Sequence, residues 1–196
     1  MCGRFYVDDE MADELEKLCR SIDRKLAQAG DIHPSEPALV LHADRSEELC
    51  ASSYIWGYQN PKSSQLIFNA RAESINEKPM FRRDFSERRC IVPARGFYEW
   101  NPSKIKYRFT NRSGGILLLA GIYTNEEQPR FSIITTSADE TVKSVHDRMP
   151  LVIPEQEIGT WVHDAKSAVE MLRTNHCRLE KQAAEDAEYV QEKLLL

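Results

Sequence analysis

The chain has 196 residues, with 26 Lys and Arg against 31 Asp and Glu, for a formal net charge of −5. With 41% hydrophobic and 29% charged residues, it has the composition of one globular domain long enough to bury a core without metal or disulfide staples. The balance excludes a wholly basic nucleic-acid binder, and no apolar run reaches bilayer length. The five Cys (2, 19, 50, 90 and 177) are odd in number and widely spaced, which excludes a disulfide framework. There is no Cys-x-x-Cys pair, and His176-Cys177 lacks a second ligand pair, so neither a metal nor another cofactor is expected. The start shows no signal-peptide pattern, and the expected location is cytoplasmic.

Residues 2–7 read as a short extended segment. Asp8 can cap a helix in which Met11, Leu15, Leu18, Ile22 and Leu26 recur at three- and four-residue spacing until Gly30 stops it. Short strands then alternate with turns: 38–42, 51–56, 65–69, 89–93, 96–100, 107–110, 115–123 and 130–137. Ile116 to Ala120 is apolar on both faces, which predicts a central strand. Five arginines between Arg82 and Arg95 read as a solvated face. Helices are expected over 155–163 and 167–175. The segment 178–196 is charged and closes on three Leu, as a last strand and helix or a tail beyond a single domain over 1–177. The fold class is α+β, with mainly antiparallel strands in a distorted barrel or sandwich and peripheral helices.

Cys2 carries the most distinctive chemistry. Removal of Met1 would expose a 1,2-aminothiol, with an α-amine of pKa about 7.7–8.0 beside a thiol near 8.5. Such an amine attacks aldehydes to form an imine, and the neighbouring thiol can close a thiazolidine ring on it. The alternative is a small residue beside an ordinary start. Glu99 sits among Phe97, Tyr98 and Trp100, where apolar neighbours would raise its pKa and suit it to proton transfer. It could equally alternate outward into water. His146 suits proton transfer or a loop hydrogen bond. Asn69 can orient a substrate or form a turn. Arg4 and Arg71 have forked donors for phosphate, and Trp56 and Trp100 could stack on bases or fill a core.

These residues recur in stretches whose order is specific: Met1-Cys2-Gly3-Arg4-Phe5, Trp56-Gly57, Asn69-Ala70-Arg71-Ala72-Glu73, Gly96-Phe97-Tyr98-Glu99-Trp100 and His146-Asp147-Arg148-Met149-Pro150. Together they resemble the SOS-response-associated peptidase (SRAP) family of abasic-site-processing proteins. The resemblance implies a monomer that binds single-stranded DNA at an abasic site and crosslinks to its aldehyde through the N-terminal Cys. It places Cys2, Asn69, Glu99 and His146 at the reaction centre. It implies DNA contacts for Arg4, Arg71, Trp56, Trp100, Thr135 and Arg148. Self-processing, strand cleavage and crosslink reversal are further activities of the family. Three departures from the family pattern bear on DNA geometry: Asp31-Ile32-His33-Pro34 replaces an Asn-containing stretch, Tyr58 to Ser64 replaces the aromatic residues that in many members follow the Trp-Gly and wedge against DNA, and Arg95 stands where Asp is usual. The competing readings are an N-terminal-nucleophile amidohydrolase, which also begins Met-Cys-Gly, and a non-covalent single-stranded DNA-binding module.

Overall fold

The computed structural model describes every residue except 1, 20–21, 25–28, 45, 175–176 and 185–196. Strand β1 (Phe5–Val7) leads into helix α1 (Met11–Leu15), followed by β2 (Gly30–Ile32), β3 (Pro37–Ala43), β4 (Leu49–Trp56), β5 (Tyr58–Gln59), β6 (Leu66–Ile67) and β7 (Asn69–Arg71). Helix α2 (Pro79–Glu87) precedes β8 (Arg89–Ala94), β9 (Gly96–Trp100), β10 (Lys106–Asn111), β11 (Leu117–Tyr123) and β12 (Arg130–Ser137). Then come α3 (Glu140–Lys143), β13 (Arg148–Pro150), α4 (Ile158–His163), α5 (Ala165–Met171) and β14 (Leu179–Ala183).

The strands form two main sheets. One runs β14-β10-β9-β1-β2 and is antiparallel throughout. The other runs β11-β8-β3-β4-β12-β13, with β7 also on β12. An extra β11–β12 pairing turns this sheet back on itself without making a regular barrel. Only the pairings of β12 with β4 and with β7 are parallel. The expected mix of mainly antiparallel strands and few helices is therefore present, and β11 lies between β8 and β12 as its apolar run predicts.

Strand alternation divides the core. On β3, Leu39 and Leu41 join the cluster under the helices with Ile91, Ile134 and Trp161. Ala38 and Val40 join a second cluster with Cys2, Phe5, Phe97, Phe109 and Ile133, between the sheets. Every residue of β8 is buried, as expected where both sheet faces are covered.

The helix predicted over 11–26 ends at Leu15. Arg24 folds back to Glu16 at 2.8 Å and Asp13 at 2.7 Å. In a continuous helix, Arg24 and Glu16 would stand about 12 Å apart along the axis, so these bonds require a chain reversal. Leu26 lies outside the described residues. The predicted helix over 155–163 begins as a 3₁₀ turn before α4, and α5 spans Ala165–Met171 rather than 167–175.

The arginines between 82 and 95 do not share one solvated face. Arg89 is buried and donates to the carbonyls of Phe85, Ser86, Trp161 and Val162, satisfying the ends of α2 and α4. Arg88 is bound to Asp84 at 2.6 Å. Arg95 reaches Asp8 at 2.6 Å and Glu14 at 2.7 Å, tying α1 to the β8–β9 link. Gly96 follows because a Cβ there would lie 2.5 Å from the Phe109 carbonyl and 2.7 Å from the Tyr6 ring. After Cys177, the chain continues as β14 on the edge of the first sheet. The rest of the expected C-terminal strand, helix or tail, residues 185–196, lies outside the described residues.

Candidate active site

Four segments far apart in sequence converge between the two sheets. The β1–β9 register pairs Phe5 with Phe97, and the Tyr98 amide donates to the Arg4 carbonyl at 2.9 Å. Gly3 and Cys2 lead into this pairing ahead of β1. Strand alternation turns Phe97 and Glu99 inward and Tyr98 and Trp100 outward. Glu99 is buried, which rejects the outward alternative raised by its sequence position.

Cys2 has 0% exposure, and its thiol points to the Arg4 carbonyl at 3.9 Å. Burial, and then the nearby Glu99 charge, push the thiol pKa well above its usual range. Burial likewise raises the Glu99 carboxyl, against an opposing pull from His146. The thiol is therefore held neutral, and Glu99 stays protonated to higher pH than an ordinary carboxyl.

Asn69 opens β7, whose register is fixed by parallel pairing with β12 (Asn69 with Ile133, Arg71 with Thr135). Its Nδ2 donates to the Cys2 carbonyl at 2.8 Å across 67 positions of sequence. A carbonyl only accepts, so this bond fixes which way the amide faces. Asn69 Oδ1 is then left buried with no hydrogen-bond partner among the described residues. An unsatisfied buried acceptor costs about 1–3 kcal/mol, which a hydroxyl donor entering the pocket would recover.

His146 follows α3, whose first turn is capped by Asp139 accepting from the Thr141 and Val142 amides. The Arg148 amide lies 2.9 Å from His146 Nδ1. Asp147 Oδ1 is also 2.9 Å from Nδ1, but the two contacts exclude each other. A backbone amide can only donate, so in the neutral ring Nδ1 accepts and the proton sits on Nε2. The Asp147 side chain is 86% exposed.

The expected DNA contacts divide. Arg71 is exposed and lies on the same face of β7 as Asn69. The Arg4 guanidinium lies 5.1 Å from the Trp100 ring centroid and 3.5 Å from Asp31. Arg148 is held by Glu73 at 2.6 and 2.9 Å and by the Thr135 carbonyl. That bond to Arg148 pulls the Glu73 carboxyl below its ordinary range.

Two expectations are corrected. Trp56 has 0% exposure; it packs on Phe5, Phe68 and Phe131, and its indole donates to the Phe68 carbonyl at 2.9 Å. It offers no face to a base and instead packs in the core cluster that includes Cys2. Thr135 also has 0% exposure and supports Arg148 rather than meeting a ligand. Trp56→Ala should cost about 3–5 kcal/mol of stability, read as a lower denaturant midpoint. An unchanged midpoint would return Trp56 to the surface.

Glu73 was quoted only as part of a motif, yet it positions Arg148. Its partner lies 75 positions away, and no local pattern signals it. Among the described residues, no group of His, Cys, Asp and Glu is placed to hold a metal, and no helix is long and apolar enough to cross a membrane.

The family model for SOS response associated peptidase (SRAP) matches residues 1–192. The chain belongs to the SRAP family. A member from Bacillus subtilis, abasic site processing protein YoqW, is 32% identical over 89% of this chain and 85% of its own. Abasic site processing protein YedK of Escherichia coli is 28% identical over 87% of this chain and 83% of its own. The crystal structure of a Bacteroides thetaiotaomicron protein superposes with a TM-score of 0.78 at 22% identity, covering 97% of this chain and 94% of that one. This last likeness extends the SRAP fold to a distant sequence.

Proposed function

We propose that the protein is an abasic-site sensor that binds single-stranded DNA and crosslinks to the lesion through Cys2 once Met1 has been removed. The observation that carries this reading is the Asn69–Cys2 bond of 2.8 Å, made in a pocket shared with a buried, proton-retaining Glu99.

The chemistry requires little beyond these groups. The closed deoxyribose hemiacetal opens when its ring oxygen gains a proton and its anomeric hydroxyl loses one. Glu99 supplies the first proton. The Cys2 amine lone pair then attacks C1′, and the carbonyl electron pair moves to oxygen and takes up a proton. Loss of water from this carbinolamine gives the imine, with the His146 Nε2 proton and the Glu99 carboxyl assisting departure of the hydroxyl. The thiol sulfur adds to C1′, the imine electron pair returns to nitrogen, and the thiol proton passes through the Glu99 carboxylate to that nitrogen. Aldehyde and aminothiol thus become a thiazolidine and one water. The Asn69 oxygen accepts from a sugar hydroxyl and holds C1′ in place. Arg4, Arg71 and Arg148 take phosphates, and Trp100 stacks on a neighbouring base. If the thiol step does not occur, the imine favours loss of a C2′ proton and strand cleavage. Protonation of the closed ring by Glu99 allows reversal.

The amidohydrolase alternative needs a ready thiolate, and the raised thiol pKa disfavours one. Intact-mass measurement tests the choice. Protein whose N-terminal mass begins at Cys2 should gain one abasic-site oligonucleotide less one water, and should release no ammonia from glutamine. Ammonia release without an adduct, or an adduct on protein that retains Met1, would sink the reading.

A further inference from the structure

Glu99 faces inward, but its neighbours on β9 face the other way, and they build a surface of which the proposed function uses only Arg4 and Trp100. On the outer face of the first sheet, the Tyr6 and Tyr98 rings lie 5.4 Å apart at 33°. Lys106 Nζ sits 4.3 Å from the Tyr98 centroid and 5.9 Å from that of Trp100. Arg4 covers Trp100, and Arg108 is paired with Tyr98 in register. Arg4 and Arg108 thus interleave with three aromatic rings on one face of a chain whose net charge is −5, and Lys106, which is buried, packs on two of the rings. Acids near this face among the described residues include Asp31, beside Arg4 and Tyr98, Asp8, near Tyr6, and Glu180, at the β14 edge.

The same face ends at the β9–β10 hairpin, which carries Ile105. At 48% exposure, Ile105 is the exposed large hydrophobic residue among those described. Its position is fixed rather than loose. Asn101 Oδ1 accepts from the Ile105 amide at 2.9 Å, the Asn101 amide donates to the Ile105 carbonyl at 3.0 Å, and Lys104 adopts a left-handed φ of 62°. Trp100 precedes this turn, and Arg4, which covers its ring, lies two residues after Cys2.

The geometry points to this face as a track for the single strand on one side of the lesion, with Ile105 packing on the base nearest the abasic sugar. The inference rests on the proposed function, because the strand must leave the pocket by way of Trp100. Interleaved cations and rings suit a nucleic acid: the cations meet phosphates and the rings meet bases, without regard to sequence. An apolar residue at a rigid tip takes the place of a lost stacking partner where a base is missing. Continuity with Arg4 and Trp100 favours this occupant over a protein partner.

Arg108 and Ile105 lie outside the reaction centre and allow a clean test. Arg108 donates to Gln182 Oε1 at 2.6 Å, and neither Arg108 nor Ile105 is buried in the core. The probes are oligonucleotides carrying a tetrahydrofuran abasic analogue, which has no aldehyde and reports affinity alone. One has about ten nucleotides on the 5′ side only, and the other the same length on the 3′ side only. Fluorescence anisotropy at low salt should show Arg108→Glu weakening one of the two by about tenfold, with a shallower salt dependence for that oligonucleotide. Ile105→Ser should weaken the same oligonucleotide several-fold, and the other should bind both variants as it binds the unmodified protein. Equal loss on both sides, or loss on neither, would overturn the track. Crosslink yield on aldehyde-bearing DNA extended only on the unaffected side should stay unchanged in both variants. If the unmodified protein forms no crosslink while the one-sided affinity pattern holds, the proposed chemistry fails and the track stands.

Discussion

Cys2→Ser should convert a permanent adduct into a transient one. The variant keeps the α-amine, so the imine still forms with the abasic aldehyde. Its hydroxyl is a far weaker nucleophile than the thiol, and the ring does not close. Adduct surviving denaturation should fall by about a hundredfold or more, the scale on which a positioned intramolecular nucleophile acts. Borohydride added before denaturation should restore much of the adduct by reducing the imine. Both are read by intact mass. Denaturation-stable adduct in Cys2→Ser without reductant would remove the thiol from the mechanism. Because the thiol is fully buried and held neutral, it is also shielded from the oxidants that attack exposed thiolates.

Glu99→Gln should slow crosslinking by about 10²–10⁴-fold, the usual range for a positioned general acid or base, while affinity for intact single strands stays the same. Its effect on stability should have the opposite sign. The Glu99 pKa is raised in the fold, so the folded protein binds the proton more tightly than the unfolded chain does. Its favourable contribution is complete below the ordinary carboxyl range and is lost as pH rises through the raised folded value. At neutral pH the unfolded chain carries this carboxyl ionised, so folding must either protonate it or bury its charge, a cost that Gln does not bear. Glu99→Gln should raise the melting temperature at neutral pH by ~2–4 °C, and the gain should disappear near pH 4. A melting temperature lowered at neutral pH would mean that Glu99 is structural. The crosslinking rate should also decline on the alkaline side as Glu99 loses its proton, and Gln should remove that limb of the profile.

The sequence made the strands legible because alternation and turn residues are local signals: β9 and β12 were expected at the bounds they have. Helix α1 was overextended because the apolar spacing continues past Leu15, whereas the reversal depends on Arg24 finding Asp13 and Glu16. Strand β2 was missed because Gly30-Asp31-Ile32 has no strand pattern of its own and exists by pairing with β1. Among the expected DNA contacts, Trp56 could not be separated from Trp100 by residue type. The distinction is made by Phe5 and Phe131, which bury one ring, and by the outward pleat of β9, which leaves the other at the surface. The convergence of Cys2, Asn69 and Glu99 was available only through resemblance, since the bond that proves Asn69 near Cys2 spans most of the distance between β1 and β7 in the chain.

The parallel seam between β7 and β12 has a consequence for how this protein can diverge. Asn69 is placed by Ile133 and Arg71 by Thr135, and the Ile133 amide adds a bond to the Phe68 carbonyl at 3.1 Å. None of these restraints passes through residues 60–64, which join β5 to β6. Insertions and deletions in that loop can therefore accumulate without shifting the Asn69 amide. A single-residue slip inside 69–71 would turn the amide out of the pocket and expose Ala70. The loop is free to be rewritten for new DNA shapes, while three residues of β7 hold the chemistry in one frame.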